Sequence, residues 1–119
     1  MCLGRRKKTA FGEYLVEQIK AVNMSQEEFY TEVKIKKPYF YDLLTHTPPP
    51  EDLQNRMLAV LESRSGEDIQ RRNTFYNLAA AGRNEIPADI AKVIFDNKSK
   101  FDEIRKLLSE LLNVHQQGE

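Results

Sequence analysis

The sequence predicts an all-α protein, and three kinds of observation support this prediction. Apolar residues recur at intervals of three and four, the period of an amphipathic helix, along most of the 119-residue chain. Serine, threonine, proline and glycine residues stand where such helices would begin and end. The chain also lacks the strict alternation of apolar and polar residues that is typical of a half-buried strand.

The first two helices are predicted from their N-terminal caps. Thr9 can cap a helix over about residues 10–22, and Asn23 breaks it. Ser25 begins the second helix, and Glu28 stands three positions later, so "SQEE" predicts a capping box. In this motif the serine side chain accepts from the backbone N–H of the glutamate, whose own side chain reaches back to the serine N–H.

The third helix follows after a joint of only a few residues. Pro38 suits its first turn, where the missing N–H costs nothing, and the "THTPPP" stretch ends it. Phe40, Leu43 and Leu44 are expected to face inward. Because the joint is so short, the second and third helices should cross steeply, as in a helix–turn–helix.

The remaining helices follow the same logic. Pro50 opens a fourth helix, Ser65 with Asp68 caps a fifth, and Gly82 is predicted as the C′ residue that ends the fifth. These helices are expected at about 50–63, 66–81, from Pro87 to a break at 97–99, and 100–113.

Composition narrows the function classes. Formal net charge is zero, but basic residues cluster at Arg5–Lys8 and Lys34–Lys37. Such local basic patches favour contact with a nucleic acid even when the whole chain is neutral. The single cysteine, Cys2, allows neither an internal disulfide nor a thiolate metal cluster. No segment approaches the ~20 apolar residues of a membrane span, and no secretory signal follows the basic N-terminus, so a cytoplasmic protein is expected.

The chain carries no catalytic signature. It has no phosphate-binding glycine loop, no G-x-S-x-G and no H-E-x-x-H, and its histidines, His46 and His115, are isolated from each other. We therefore expect a non-enzyme with no metal and no cofactor.

The stretch "FGEYLVEQIKAVNMSQEEFYTEVKIKKPYFYDLL", followed by "PPPEDLQNRMLAVL", resembles the lambda-repressor/Cro-like (XRE) helix–turn–helix regulators over about residues 10–62. The tract "FYNLAAAGRNEIPADIAKVI" is similar to the C-terminal extension of small bacterial and phage-type members. The resemblance implies a lambda-repressor-like five-helix DNA-binding domain with a C-terminal helical dimerisation extension. The expected organisation is a flexible basic arm at 1–8, a helix–turn–helix domain at 9–64 and a helical extension at 65–119.

The resemblance also implies roles for individual residues. Gln26 would bind a phosphate and brace the third helix, and Lys36 and Thr45 could also touch phosphates. Base-edge contacts fall to Lys37, Pro38 and Tyr39, with Tyr41 and Asp42 on or near the same exposed side. A basic arm wrapping DNA would consist of Arg5, Arg6, Lys7 and Lys8. Each residue also has a structural alternative, such as a solvated lysine turn or tyrosines packed at the edge of the core.

Two departures from the family pattern keep a second function class open. Tyr30 replaces the usual alanine, so the helix pair must cross more widely or the ring must turn outward. Lys34 replaces the usual glycine of the turn, where positive φ costs a non-glycine residue roughly 1 kcal/mol. The third helix is also aromatic where a DNA reader is usually polar, and Asp42 would be repelled by phosphate unless it reads a cytosine amino group.

The C-terminal helices carry a broad apolar stripe, which predicts a homodimer unless the monomer core consumes the stripe. The residues assigned to dimerisation are Ile90, Ile94, Phe101, Ile104, Leu107, Leu108 and Leu111. The leading hypothesis is a homodimeric, sequence-specific transcriptional regulator that binds a palindromic operator and is nucleoid-associated when bound to DNA. The alternative is a protein-interaction module on a modified helix–turn–helix scaffold, such as an antirepressor, an antitoxin or a phage-type inhibitor, with another protein as its partner.

Overall fold

The structure, a computed structural model, describes residues 7–117, with side chains as far as Asn113. No residue of this range lies in a strand, so the all-α prediction is confirmed for it. None of its helices is both long and apolar enough to cross a membrane. The helices are α1 (Ala10–Ala21), α2 (Gln26–Val33), α3 (Lys37–Thr45), α4 (Glu51–Ser65), α5 (Ile69–Arg83), α6 (Ala88–Asp96), a 3-10 turn (Lys98–Lys100) and α7 (Phe101–Gln117).

The chain divides into two compact units, and the boundary lies between Pro87 and Ala88. The first unit contains α1 to α5 around one apolar core. Phe11 of α1 and Phe75 of α5 meet edge to face in this core, with their ring centroids 5.3 Å apart. Because α5 packs on α1 in this way, it lies in the same compact unit as α1 to α4.

The prediction for Gly82 was wrong. α5 runs through Gly82 to Arg83, and the left-handed residue that ends it is Asn84, with φ 57° and ψ 47°. A Cβ at Gly82 would lie 2.6 Å from Cγ of Pro48, so this glycine allows α5 to approach the proline loop closely. Ser65 likewise ends α4 instead of capping α5, whose N-cap is Asp68.

A second glycine fixes the distance between α1 and α3. A Cβ at Gly12 would lie 2.1 Å from the carbonyl oxygen of Leu44, inside α3. The same oxygen accepts hydrogen bonds from the Thr9 backbone N–H at 2.9 Å and from the Thr9 hydroxyl at 3.2 Å. The N-terminus of α1 therefore holds the C-terminal half of α3 by direct backbone contact.

The second unit consists of α6, the 3-10 turn and α7. Asn97 ends α6 through its amide, which donates to the carbonyl of Val93 at 2.7 Å. The 3-10 turn begins one residue later and leads directly into α7, so the break expected at 97–99 is short. α7 also continues to Gln117, four residues past its expected end.

Candidate nucleic-acid interface

The capping box predicted at Ser25 is present and sets the start of α2. The Ser25 N–H donates to Oε1 of Glu28 at 2.9 Å, and the Glu28 N–H donates to Oγ of Ser25 at 3.0 Å. The hydrogen bond from the Ser25 backbone is also the main cause that lowers the pKa of Glu28 from its ordinary 4.5. Gln26, the residue expected to bind a phosphate, is then the first residue of α2 and is half-buried.

The joint between α2 and α3 turns at Lys34, which has φ 72° and ψ 43°. The positive φ expected for this residue is therefore present. The turn is closed by the N–H of Lys34, which donates to Thr31, and by the N–H of Ile35, which donates to Tyr30. Arg56 of α4 adds a third restraint, because its Nη1 donates to the carbonyl of Val33 at 2.7 Å. No local pattern predicts this contact, because Arg56 lies 23 positions after Val33.

Tyr30 is accommodated in the seam between α2 and α3. Its side chain is half-buried, and its ring centroid lies 5.3 Å from that of Phe40, with the planes inclined at 45°. Phe29, which like Tyr30 lies in α2, also packs against Phe40, and the two ring centroids are 6.1 Å apart. Tyr30 thus adds an aromatic contact to the helix pair at the position where the smaller residue was expected.

α3 presents a defined outer face. Phe40, Leu43 and Leu44 are buried, as the sequence predicted. Successive residues of an α-helix are rotated by 100° about its axis, so these three buried residues mark the inner side and the residues opposite them form the outer face. From one flank to the other, this outer face consists of Lys37 and Tyr41, then Thr45, Pro38 and Asp42, then His46 and Tyr39.

Two side-chain pairs order the outer face. Nζ of Lys37 lies 5.9 Å from the ring centroid of Tyr41, which is a cation–π contact. On the other side, Nδ1 of His46 lies 3.9 Å from Oδ1 of Asp42. Thr45, predicted as a phosphate contact, donates its hydroxyl to the carbonyl of Tyr41 at 2.8 Å, so its only hydroxyl hydrogen is engaged.

The basic residues predicted at the site are exposed. Lys36 is the N-cap of α3 and makes no side-chain capping hydrogen bond, and Lys37 follows it as the first residue of the helix. Together with Lys34 they place three ammonium groups near the N-terminus of α3. Lys7 and Lys8 of the predicted arm are exposed as well, whereas Arg5 and Arg6 lie outside the described residues.

An open depression of about 440 Å³ adjoins α3, and the sequence did not predict it. Its outer-face residues are Tyr39, Asp42 and His46, and its far wall is the proline loop. Two distant hydrogen bonds hold that loop: the buried Gln54 donates to the carbonyl of Pro49 at 2.8 Å, and Arg83 donates to that of Pro48 at 3.0 Å. In the sequence, "THTPPP" signalled only the end of a helix.

The residues assigned to dimerisation are accessible in the second unit. Ile90, Leu107, Leu108 and Leu111 are exposed, and Leu107 and Leu111 expose 61% and 67% of their surface. Ile94, Phe101 and Ile104 are half-buried. Within residues 7–117, no cluster of three or more histidine, cysteine, aspartate or glutamate side chains is placed to hold a metal ion.

No protein-family model, no curated protein and no solved structure matches the chain.

Proposed function

We propose that the protein is a sequence-specific DNA-binding regulator of transcription, of the lambda-repressor/Cro-like (XRE) kind, acting as a homodimer on a palindromic operator. The observation that carries this proposal is the α2–turn–α3 pair. α2 is capped, the turn passes through a left-handed residue, and α3 turns a continuous outer face to solvent with Lys36 and Lys37 at its N-terminal end.

The dimensions of α3 suit the major groove of DNA. With its side chains an α-helix is about 10–12 Å across, and the groove is about 12 Å wide. When α3 lies in the major groove, Lys37, Pro38 and Tyr39 approach base edges, while Lys36 and Gln26 approach phosphates. Thr45 is better suited to an apolar contact, since its hydroxyl hydrogen already bonds Tyr41.

The charge distribution predicts a weak affinity for DNA of any sequence, with the attraction confined to a few exposed lysines. With a formal net charge of zero, the chain as a whole gains little from the phosphate field. Attraction must come from Lys34, Lys36 and Lys37, with Lys7 and Lys8 as additional cations. Since each neutralised phosphate contributes a slope of about −0.9 to the plot of log K against log salt, a few such contacts should give a modest salt dependence.

Homodimerisation rests on the exposed apolar stripe of the second unit. Leucines 107, 108, 111 and 112 are each more than half exposed, although leucine is among the residues most often buried in folded proteins. At 100° per residue, Asp102, Lys106 and Glu110 of α7 lie on the side of the helix opposite this stripe. A second copy would cover the stripe, and the resulting two-fold symmetry would match a palindromic operator.

The proposal is tested by selecting duplexes from a random-sequence pool with the full chain at moderate salt. We expect one palindromic sequence to be enriched. Lys37→Ala combined with Tyr39→Ala should abolish this selectivity while the melting temperature is kept. The matched control is Lys20→Ala, which removes an exposed cation from α1 and should leave selectivity intact.

The oligomeric state is tested separately by light scattering at tens of micromolar. We expect a dimer for the natural chain and a monomer for Leu107→Glu combined with Leu111→Glu. Ser109→Glu places one such charge at an exposed position of α7 outside the leucine stripe and should remain dimeric. A monomeric natural chain would contradict the dimer.

A protein-interaction module is the second candidate, and one observation favours it. Tyr39 and Tyr41 expose 44% and 41% of their surface on the outer face of α3, and Asp42 lies there too. Exposed tyrosines are enriched at protein–protein interfaces, and a carboxylate opposes DNA phosphates. If no duplex is enriched by the selection, this candidate replaces DNA binding.

A further inference from the structure

We infer, on the basis of the proposed DNA-binding function, that α3 recognises the 5-methyl group of a pyrimidine next to a base amino group. The geometry that carries this inference is the convergence of Tyr39 and Asp42 on one depression beside α3. Tyr39 offers an aromatic surface. Asp42 offers a carboxylate, which in its ionised form accepts hydrogen bonds and donates none.

The outer face of α3 is poor in the groups that usually distinguish purines. Guanine is most often read by arginine or lysine, and adenine by asparagine or glutamine, through paired hydrogen bonds. α3 contains no arginine, asparagine or glutamine. Its one cation, Lys37, lies on the flank over the ring of Tyr41. Beyond a contact from Lys37, selectivity must therefore come from another feature of the base edge.

The first turn of α3 offers an apolar surface. Pro38 and Tyr39 occupy the first helical turn and are exposed, with 44% of the tyrosine surface accessible. Thr45 cannot donate from its hydroxyl without losing its bond to Tyr41. In the major groove, the apolar group that differs between bases is the methyl at C5 of thymine, which also occurs on 5-methylcytosine.

Asp42 narrows the choice further. Its carboxylate can accept from the N4 amino group of cytosine or the N6 amino group of adenine, whereas thymine O4 and guanine O6 would repel it. In 5-methylcytosine the amino and methyl groups are on adjacent ring atoms. In unmodified DNA, a thymine beside a cytosine or an adenine presents the same two groups.

The test uses the duplex enriched by the random selection. Each thymine of a half-site is replaced in turn by uracil, which lacks only the methyl group. We expect at least one replacement to weaken binding by about three- to fivefold, the effect of losing one buried methyl. A separate arm replaces each cytosine by 5-methylcytosine, and a similar gain there would identify the modified base as the source.

Variants connect the effect to α3. In Tyr39→Ala the difference between thymine and uracil, or between 5-methylcytosine and cytosine, should disappear, whereas Tyr39→Phe should keep it. Asp42→Asn adds a donor and should change the preferred base at the amino position. Circular dichroism verifies that each variant is folded.

The outcomes separate the inference from the function. If a duplex is enriched but its affinity is indifferent to every uracil and every 5-methylcytosine, the methyl inference is overturned and the DNA-binding function stands. If the methyl effect exists but survives in Tyr39→Ala, the assignment to Tyr39 is overturned. If no duplex is enriched, both the function and the inference fall.

Discussion

Replacing Gly12 by alanine should test the contact that positions α3. The added Cβ would lie 2.1 Å from the carbonyl oxygen of Leu44 and 2.8 Å and 2.9 Å from its carbonyl carbon and Cα, whereas ordinary contact begins at 3.4 Å. All three are backbone atoms, so no side chain can rotate away. Helix α3 must move by about 1 Å relative to α1, or α1 must unwind.

The magnitude follows from three terms. Overpacking a core usually costs about 1–3 kcal/mol. The displaced Leu44 oxygen also accepts two hydrogen bonds from Thr9, each worth about 1 kcal/mol. Alanine in a helix recovers about 0.5–1 kcal/mol relative to glycine. We therefore expect a net loss of about 3 kcal/mol, which corresponds to a fall of about 12–24 °C in melting temperature for a domain of this size.

The assay is thermal and urea unfolding followed by circular dichroism, and Glu17→Ala is the matched control. Glu17→Ala introduces alanine at an exposed position of the same helix and should change stability by less than about 0.5 kcal/mol. A Gly12→Ala variant as stable as the natural chain would refute the close approach of α1 and α3. A destabilised but folded variant should also lose duplex selectivity, because α3 is displaced.

Three further predictions concern the α2–α3 pair. Lys34→Gly should leave the melting temperature unchanged or raise it slightly. Glycine relieves a backbone strain of roughly 1 kcal/mol at φ 72°, but it also increases the conformational entropy of the unfolded chain. A fall of several degrees would contradict the left-handed turn. Tyr30→Ala should lower the free energy of unfolding by about 1–2 kcal/mol, since the half-buried ring packs on Phe40, and stabilisation would instead mean that the tyrosine strains the pair. Glu28→Ala should lose stability at neutral pH. Because the pKa of Glu28 is lowered on folding, its contribution is present above 4.5 and disappears as the pH falls through the lower folded value. The stabilities of the variant and the natural chain, measured by urea unfolding, should therefore converge as the pH is lowered through that value.

The helix–turn–helix could be predicted because its signals are local. Ser25 and Glu28 are three positions apart, and the αL conformation of Lys34 was expected because the family that the stretch resembles has glycine at that position. The predictions that were wrong concern contacts between residues far apart in the sequence. Gly82 looked like a helix terminus, but its role depends on Pro48, which lies 34 positions earlier. The same limit hid the packing of α5 on α1, which rests on the pairing of Phe11 with Phe75.

The candidate site shows the same division at the level of single side chains. Helical periodicity was enough to divide α3 into Phe40, Leu43 and Leu44 inside and the remaining residues outside. The depression could not be predicted, because its far wall is a loop held by hydrogen bonds from Gln54 and Arg83 on two other helices. The outward residues are not required by packing, so the fold does not determine their identity. Tyr39 and Asp42 line one depression, so the uracil and 5-methylcytosine duplexes are the most direct test of the proposed base recognition by α3.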